Sequence, residues 1–414
     1  MFRRLPFLLA LVWFGLAPVQ AAFRAGVAVR VVTPEPLLPV SGGMGPIQPA
    51  TIKQGELTVR ALVFEDGDLK VALVSTDFLG FPAVLGDRVR ALIKGIPGDN
   101  VLIGATHTHS APEAYGFPDG KGGTGSDLNY LDRVVAQTAE AVNEAVARLQ
   151  PAALKIATGE AKGQIAYNYY APDLYDPRAS VIQALGADGR PFATLVNYAV
   201  HPEVIGSGRG ICSPDLVGPL YDRIAAAGGG TGIFMNGAQG GMVTADNRRP
   251  GGEVNSWSEC VRIGQLLADE CLRLVQAVPS QPNPRLQVEM RRVKFPVDSP
   301  GLLAVLKNSP LGYQTDAAGM ISTRVHLVNL GNAQILTIPG EALPNIGYYL
   351  KRRMRGAHNL LFGLTNDAFG YLLTEVDWSS FKRYEYVSRT SLGEQTGEIF
   401  IREALKLVAE APAP

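Results

Sequence analysis

The chain has 414 residues, of which 46% are hydrophobic and 18% are charged, so it is long enough to bury the core of one large domain or two ordinary ones. Lysine and arginine together number 38 and balance 38 aspartate and glutamate residues. Because the chain carries no basic excess, its composition argues against a nucleic-acid partner.

The first 21 residues have the pattern of a secretory signal peptide. Two arginines precede an apolar stretch from Leu5 to Leu16, which is too short to span a bilayer comfortably, and a small-residue cleavage site ends at Ala21. We therefore expect an exported protein, periplasmic or secreted, whose folded part is residues 22–414. Three cysteines argue against a disulfide framework, although one pair that includes Cys212 stays open.

The first half of the folded part predicts strands and helices from hydrophobic periodicity and turn residues. Asp66-Gly67-Asp68 indicates a hairpin between two of the strands. In chain order, the predicted elements are a strand at 25–32, strands at 57–65 and 69–76, a helix at 82–93, a strand at 101–104 and a long amphipathic helix at 128–149.

The second half continues this irregular mixture. Ser213 is predicted to cap a helix whose first residue is Pro214, and the pair Ser256 and Glu259 predicts a capping box at the start of another helix. No internal repeat is present, so we expect an α/β (α+β) fold with mixed β-sheets packed with helices in a single large domain, and not a regular β/α barrel. Strands are predicted at 154–163, 179–185, 192–200, 232–235, 286–295, 324–330, 334–338 and 360–364, and the last helix at 395–408.

Two histidines follow the apolar run Val101-Leu102-Ile103-Gly104. Residues two apart on a strand share a face, so His107 and His109 are predicted to point the same way at the end of this strand. Two imidazoles there can bind a metal, or one can bind it while the other handles a proton. The alternative interpretation is two polar residues that merely end a strand.

Three more junctions between a predicted strand and a loop carry metal-ligand side chains, namely His201, Glu341 and Tyr371. Two histidines and one carboxylate form a common catalytic zinc set, but at these spacings only the fold can bring them together. The glycine-rich turn at 236–242 offers either backbone N–H groups for an oxyanion or a tight turn for close packing.

Four sequence stretches carry most of these candidate residues. In chain order they are Thr106-His107-Thr108-His109-Ser110-Ala111-Pro112, Asn197-Tyr198-Ala199-Val200-His201-Pro202, Ile338-Pro339-Gly340-Glu341, and Asn366 through Tyr371 to Arg383-Tyr384-Glu385. In this order they resemble the catalytic domain of the neutral/alkaline, non-lysosomal ceramidase family, from about Ala25 to the C-terminus. The resemblance is to a short bacterial form, and we expect the C-terminal immunoglobulin-like domain of full-length members to be absent.

The resemblance implies one zinc ion per chain, held by His107, His201, Glu341 and Tyr371. It also implies that His109 acts as a general base, while Tyr371 and Tyr384 stabilise the oxyanion and orient the amide. The implied reaction is hydrolysis of the N-acyl amide bond of ceramide or a related N-acyl lipid. The expected partners are a lipid-like amide substrate and, transiently, a membrane surface, with no stable protein partner.

Two departures from the family pattern bear on the substrate. The stretch Tyr167-Asn168-Tyr169-Tyr170 lacks the arginine that contacts substrate in the family. Gly240 stands in the place of a family serine, so we expect direct attack by water and no acyl-enzyme.

Two alternative functions stay open. One is a hydrolase of the same fold that acts on a non-sphingolipid amide, and the other is a degenerate lipid- or carbohydrate-binding homologue. Amidohydrolase barrels and metallo-β-lactamase-type sites fit less well, because the first need eight repeats and the second an aspartate where Ala111 stands.

Overall fold

The computed structural model describes residues 23–119 and 122–414. The predicted signal peptide, residues 1–21, lies outside the described residues. Within the described ranges, no helix combines the length and the apolarity needed to cross a membrane.

The first sheet contains the strand that precedes the two histidines. Val101–Ala105 lies at its edge, parallel to Leu69–Thr76, and the sheet continues through Thr58–Asp66, Arg24–Val31 and Gln150–Pro151 in antiparallel order. The predicted hairpin is confirmed, since Asp66 pairs with Leu69 around a turn in which Gly67 has a φ of 61°. The helices Ala83–Leu92 and Leu128–Ala147 pack together, and the longer one covers the sheet with an apolar face.

The second sheet ends close to His201. Its strands are, in spatial order, Thr231–Asn236, Pro191–Tyr198, Arg178–Leu185 and Ala153–Glu160, and the first pair is parallel. The helices Val217–Ala226 and Trp257–Gln276 pack against each other beside this sheet.

The third sheet supplies the strands that lead to Glu341 and Tyr371. In spatial order it contains Leu286–Phe295, Ile321–Leu330, Ala333–Thr337 and His358–Phe362, and the last pair is parallel. The helices Pro344–Arg353 and Thr396–Glu410 pack on one another, and both contact this sheet.

One hydrophobic cluster joins the three sheets. It includes Leu73 of the first sheet, Leu195 of the second and Ile335 of the third, all without exposed surface. Burial of such side chains is the main favourable term in folding, so the sheets stabilise one another. The expected mixed α+β architecture is confirmed, and the strands of the described residues form separate sheets and no closed barrel.

Shorter elements complete the described part of the chain. The short strands are Val40–Ser41, Ile52–Lys53, Ala111–Pro112, Ala166–Asn168, Ile211–Cys212, Val243–Ala245, Arg248–Arg249, Gly252–Glu253, Glu341–Ala342 and Tyr371–Leu372. The short helices are Pro300–Asn308 and Glu385–Arg389, with 3₁₀ turns at Gly98–Asn100, Ser207–Arg209 and Lys382–Tyr384.

Of the two predicted caps, the one at Ser256 is confirmed and the one at Ser213 is wrong. The capping box at Ser256 is only half formed, because the carboxylate of Glu259 accepts from Arg249 and Arg262. The Ser256 hydroxyl accepts a hydrogen bond from the N–H of Glu259 and starts the helix Trp257–Gln276. By contrast, the helix predicted to start at Pro214 begins at Val217, because Asp215 adopts a left-handed conformation with a φ of 55°. The hydroxyl of Ser213 accepts from the N–H of Asp215 and stabilises this turn instead of a helix.

Candidate metal centre

His107 and His109 converge as predicted, but not for the predicted reason. Their ring centroids lie 4.8 Å apart in an edge-to-face arrangement. The strand ends at Ala105, however, and His107 has a φ of 74°, so alternation along a strand does not set the direction of the two rings. A turn in the left-handed region brings the imidazoles together, and the N–H of His107 donates to the carbonyl of Phe78 at 2.9 Å.

His107, His201 and Glu341 meet at one point although they are far apart in the sequence. The Nε2 atom of His107 lies 3.5 Å from Oε2 of Glu341, and the Nε2 atom of His201 lies 3.1 Å from the same oxygen. All three residues are buried. The other ring nitrogen of each histidine faces a backbone carbonyl, with Nδ1 of His107 2.5 Å from Leu79 O and Nδ1 of His201 2.8 Å from Val243 O.

This arrangement fits a bound cation. A carbonyl only accepts hydrogen bonds, so each Nδ1 must carry a proton, and a neutral imidazole then presents its Nε2 lone pair. Both lone pairs face a carboxylate oxygen that is buried and accepts no hydrogen bond from the described residues. Acceptors that face one another away from water are unfavourable unless a proton or a metal ion lies between them. A carbonyl bonded to the distal imidazole nitrogen is also the usual support of a histidine metal ligand.

The pKa values show how strongly the carboxylate of Glu341 couples to the rings. Burial lowers the pKa of His107 to about 3. Burial also opposes the charged form of His201, but the carboxylate of Glu341, with Oε2 3.1 Å from Nε2, outweighs this and raises the pKa to about 9. Although burial alone would raise the pKa of Glu341, the two imidazoles hold it below its usual range. The three residues thus favour a positive charge among them.

His109 lies beside this group in different surroundings. Its Nδ1 lies 3.5 Å from Oε2 of Glu203, and its Nε2 is buried without a hydrogen-bond partner among the described residues. Nitrogen atoms of His107, His109 and His201 lie within 4.8 Å of one another, so the three rings form a second possible ligand set. Sequence reasoning missed Glu203, whose position two residues after His201 was its only signal.

The two predicted tyrosines lie in different places. Tyr371 is buried beside Glu341, with which it pairs in a short parallel ladder, and its hydroxyl donates to Sδ of Met242 at 3.5 Å. Tyr384 packs against Tyr170 and Phe381 outside the cavity described below, with ring centroids 6.0 and 5.5 Å away.

Tyr386, which sequence reasoning missed, is the tyrosine of this segment that lines the cavity. Its ring centroid lies 6.1 Å from that of Tyr371. Burial raises the pKa of Tyr371 well above its ordinary value and raises that of Tyr386 as well, so both phenols are hydrogen-bond donors at neutral pH.

A cavity of about 960 Å³, including its open mouth, has these polar groups on its wall. We call it the inner cavity. Its polar lining includes His107, His109, Glu341 and Tyr371. Most of the remaining wall is apolar and comes from Met44, Leu79, Pro82, Phe117, Leu302, Val305, Leu306, Ile321, Phe369 and Leu392. A mostly apolar cavity with a few convergent polar groups is typical of a site for a small organic ligand.

The glycine-rich turn at 236–242 supports the loops that carry His107 and His201. The side-chain amide of Asn236 donates to the carbonyls of Thr106 and Val200 at 3.0 and 2.7 Å, and these residues immediately precede His107 and His201. The N–H of Gly240 donates to Ala342 O at 2.9 Å, so this group is not available to an oxyanion. At Gly240, the structure therefore favours close packing over an oxyanion role.

The fold and the site define a mixed α+β protein with a candidate metal centre at the wall of an apolar cavity. No family model and no curated protein matches the chain. Among solved structures, neutral ceramidase from Pseudomonas aeruginosa matches with a TM-score of 0.76 and 18% identity over 95% of this chain and 75% of that one. A ceramidase complexed with C2 matches with a TM-score of 0.76 and 17% identity over 95% and 77%.

The chain therefore has the neutral ceramidase fold. The resemblance that the sequence motifs predicted is confirmed at the level of the fold.

Proposed function

We propose that the chain is a zinc-dependent hydrolase that cleaves the N-acyl amide bond of ceramide or a related N-acyl lipid, giving a fatty acid and an amine. One observation carries the proposal, which is that the Nε2 atoms of His107 and His201 both face Oε2 of Glu341 at the wall of an apolar cavity. The two solved ceramidases with this fold support the reaction class.

His107, His201 and Glu341 would hold one zinc ion, with Tyr371 as the fourth protein ligand. Two imidazoles and a carboxylate are a donor set that suits zinc. When bound, zinc lowers the pKa of a coordinated water and polarises a carbonyl group. The hydroxyl of Tyr371 would have to exchange its contact with Met242 for the metal, so it is the ligand that depends most on a local rearrangement.

His109 would take the proton of the attacking water and return it to the leaving amine. Its buried and unpartnered Nε2 supports this role. Burial lowers the pKa of His109 to about 3, and the carboxylate of Glu203, 3.5 Å from Nδ1, is the group that would oppose this effect while the ring holds the proton. Tyr371 would stabilise the oxyanion by donating its hydroxyl hydrogen.

The proposed role of Tyr384, contact with the amide, requires the 382–386 segment to bring it into the cavity, where Tyr386 lies in the structure. We therefore propose Tyr386 as a second phenol that contacts the amide.

Direct attack by water is favoured over an acyl-enzyme. A Cβ atom on Gly240 would lie 2.2 Å from the carbonyl oxygen of Glu341, so the backbone leaves no room there for a nucleophilic side chain. Isolation of the protein acylated on a side chain after reaction with substrate would contradict this part of the proposal.

We also propose that the protein is exported and meets its substrate at a membrane surface without a stable protein partner. The amino-terminal sequence pattern supports export, and the apolar inner cavity supports a lipid-like acyl group.

The decisive experiment follows fatty acid release from an N-acyl sphingosine with a labelled acyl chain. The purified mature protein should release the fatty acid, a zinc chelator should stop the release, and added zinc should restore it. The His107→Ala variant serves as the inactive control. If the protein binds one zinc ion but hydrolyses neither this substrate nor any member of an amide library, the degenerate binding homologue becomes the better interpretation.

A further inference from the structure

A second chamber shares part of its wall with the inner cavity. It measures about 1150 Å³ with its open mouth, and we call it the outer chamber. Five residues line both spaces, namely Gly42, Gly43, Met44, Tyr386 and Thr390. The rest of the outer wall comes from Gly45, Pro46, Gln48, Ser207, Gly301 and Arg389. A ligand that fills the inner cavity can extend past the five shared residues into this chamber.

The outer chamber begins beside His109. A Cβ atom on Gly42 would lie 3.7 Å from the Cβ of His109 and 2.7 Å from the hydroxyl of Ser207. His109 is the residue proposed to protonate the leaving amine. The acyl half of a substrate therefore belongs in the apolar inner cavity, and the amine half belongs in the outer chamber.

The charge of the outer chamber has one sign. Arg389 is the charged residue on its wall, and no carboxylate lines it. Within residues 23–119 and 122–414, no carboxylate forms an ion pair with the guanidinium of Arg389. Arg389 is exposed, and its guanidinium carbon lies 6.0 Å from the ring centroid of Tyr386, which lines both spaces. An unpaired guanidinium is well suited to a carboxylate or phosphate group.

A third, acidic cavity offers the opposite chemistry but lacks this continuity. It is lined by Glu203 and Glu253 among other residues and measures about 680 Å³. It shares no lining residue with the inner cavity, and Glu203 and Met242 lie between it and the metal centre. Because the inner cavity shares lining residues with the outer chamber and not with this acidic cavity, a head group that extends from the inner cavity meets Arg389.

We propose that the outer chamber binds an anionic group on the amine half of the substrate and that Arg389 is its ligand. Among the N-acyl amines of the proposed function, those with a carboxylate or phosphate head group are then preferred over uncharged ones, and Arg389 determines this preference. This inference rests on the proposed amide hydrolysis and narrows its substrate.

The test compares three decanoyl amides that differ in head-group charge. Decanoylglycine carries a carboxylate, decanoylglycinamide is its neutral counterpart, and decanoyl phosphoethanolamine carries a phosphate. Binding is measured by calorimetry in the His109→Ala variant, which should cleave the ligands about 10²- to 10⁴-fold more slowly, and kcat and KM are measured in the otherwise unaltered protein. The two anionic arms distinguish an amino-acid head group from a phosphorylated one.

We expect at least one anionic ligand to bind more tightly than the neutral one and to be hydrolysed with a higher kcat/KM. Arg389→Gln should reduce this preference about 3- to 10-fold, as for a partly exposed ion pair, through KM with little change in kcat. Arg389→Lys should retain part of it. Lys382→Gln is the matched control, since Lys382 is an exposed cation of the same segment that lines neither space.

Equal binding of charged and neutral amides, or a preference unchanged in Arg389→Gln, would overturn the subsite. This failure differs from failure of the proposed function. Hydrolysis without charge preference would reject the anionic subsite alone. Charge-selective binding that depends on Arg389, without hydrolysis of any amide, would reject the hydrolase and leave the subsite.

Discussion

Gly240 lies directly against Glu341. A Cβ atom on Gly240 would come within 2.2 Å of the carbonyl oxygen of Glu341 and within 2.8 Å of the carbonyl carbon of Ala342. Real Cβ atoms do not approach backbone this closely, and a backbone segment inside a packed core moves aside only at a cost. The absence of a side chain at position 240 therefore allows the backbone of Glu341 and Ala342 to pack against this turn.

We expect Gly240→Ala to displace Glu341 and to destabilise the protein by about 1–3 kcal/mol or more, as overpacking does. Zinc affinity should fall with it. Urea unfolding and metal titration measure the two effects. Gly208→Ala is the control, because a Cβ atom there meets nothing within 4 Å. Full zinc affinity in Gly240→Ala would show that the close contact does not position Glu341.

Asn236→Ala should loosen both histidine-bearing loops at once. The variant leaves the carbonyls of Thr106 and Val200 without their amide donor, and each unsatisfied buried group costs about 1–3 kcal/mol. Zinc affinity should fall about 10- to 100-fold, since residues that support metal ligands have effects of that size. Asn329→Ala is the matched control, a buried asparagine bonded to Gln287 and Pro412. It should lower stability and spare zinc affinity.

Variants of the three histidines should separate ligands from the proposed base. His107→Ala and His201→Ala should lose zinc, because each removes a nitrogen that faces Glu341. His109→Ala should retain one zinc ion per chain while the rate falls about 10²- to 10⁴-fold, the usual contribution of general acid–base catalysis. Elemental analysis and steady-state kinetics distinguish these cases. Loss of zinc from His109→Ala would instead favour the three-histidine ligand set.

Asp367 should make the stability of the protein depend on pH. Burial raises the pKa of this carboxyl to about 7, whereas an unfolded aspartate titrates near about 3.9. Between these values the native state binds a proton that the unfolded state does not, so stability falls as pH rises from about 4 to 7 and stays reduced above. Each unit of pKa elevation corresponds to about 1.4 kcal/mol.

The Asp367→Asn variant should remove this pH dependence. An asparagine can still accept from the N–H groups of Ala83 and Ala368, which bond to Oδ1 of Asp367 at 3.1 and 3.0 Å. Urea midpoints should show the variant more stable than the unaltered protein at pH 8 and nearly equal to it at pH 4. Asp132→Asn removes a charge from the surface as a control. If the urea midpoints of all three proteins changed with pH in parallel, Asp367 would not be the source of the pH dependence.

The strands and helices of this protein were largely predictable because local periodicity records which side of an element is buried. The strand at 286–295 and the hairpin at Asp66-Gly67-Asp68 occur where the sequence predicts them. The wrong cap at Ser213 shows the limit of such reasoning, since the left-handed Asp215 belongs to a turn that a serine followed by proline does not reveal.

The sequence by itself determined the mixed α+β class and the residue types of the candidate centre, because ligand-type side chains at the ends of apolar strands are a local pattern. Only the tertiary structure decided that His107, His201 and Glu341 meet, since they are separated by up to 234 positions and one oxygen faces both rings. It also decided that Glu203 and Tyr386 approach the centre while Tyr384 lies outside the inner cavity. These relationships depend on loop conformation and on packing between sheets, which no local window of the sequence contains.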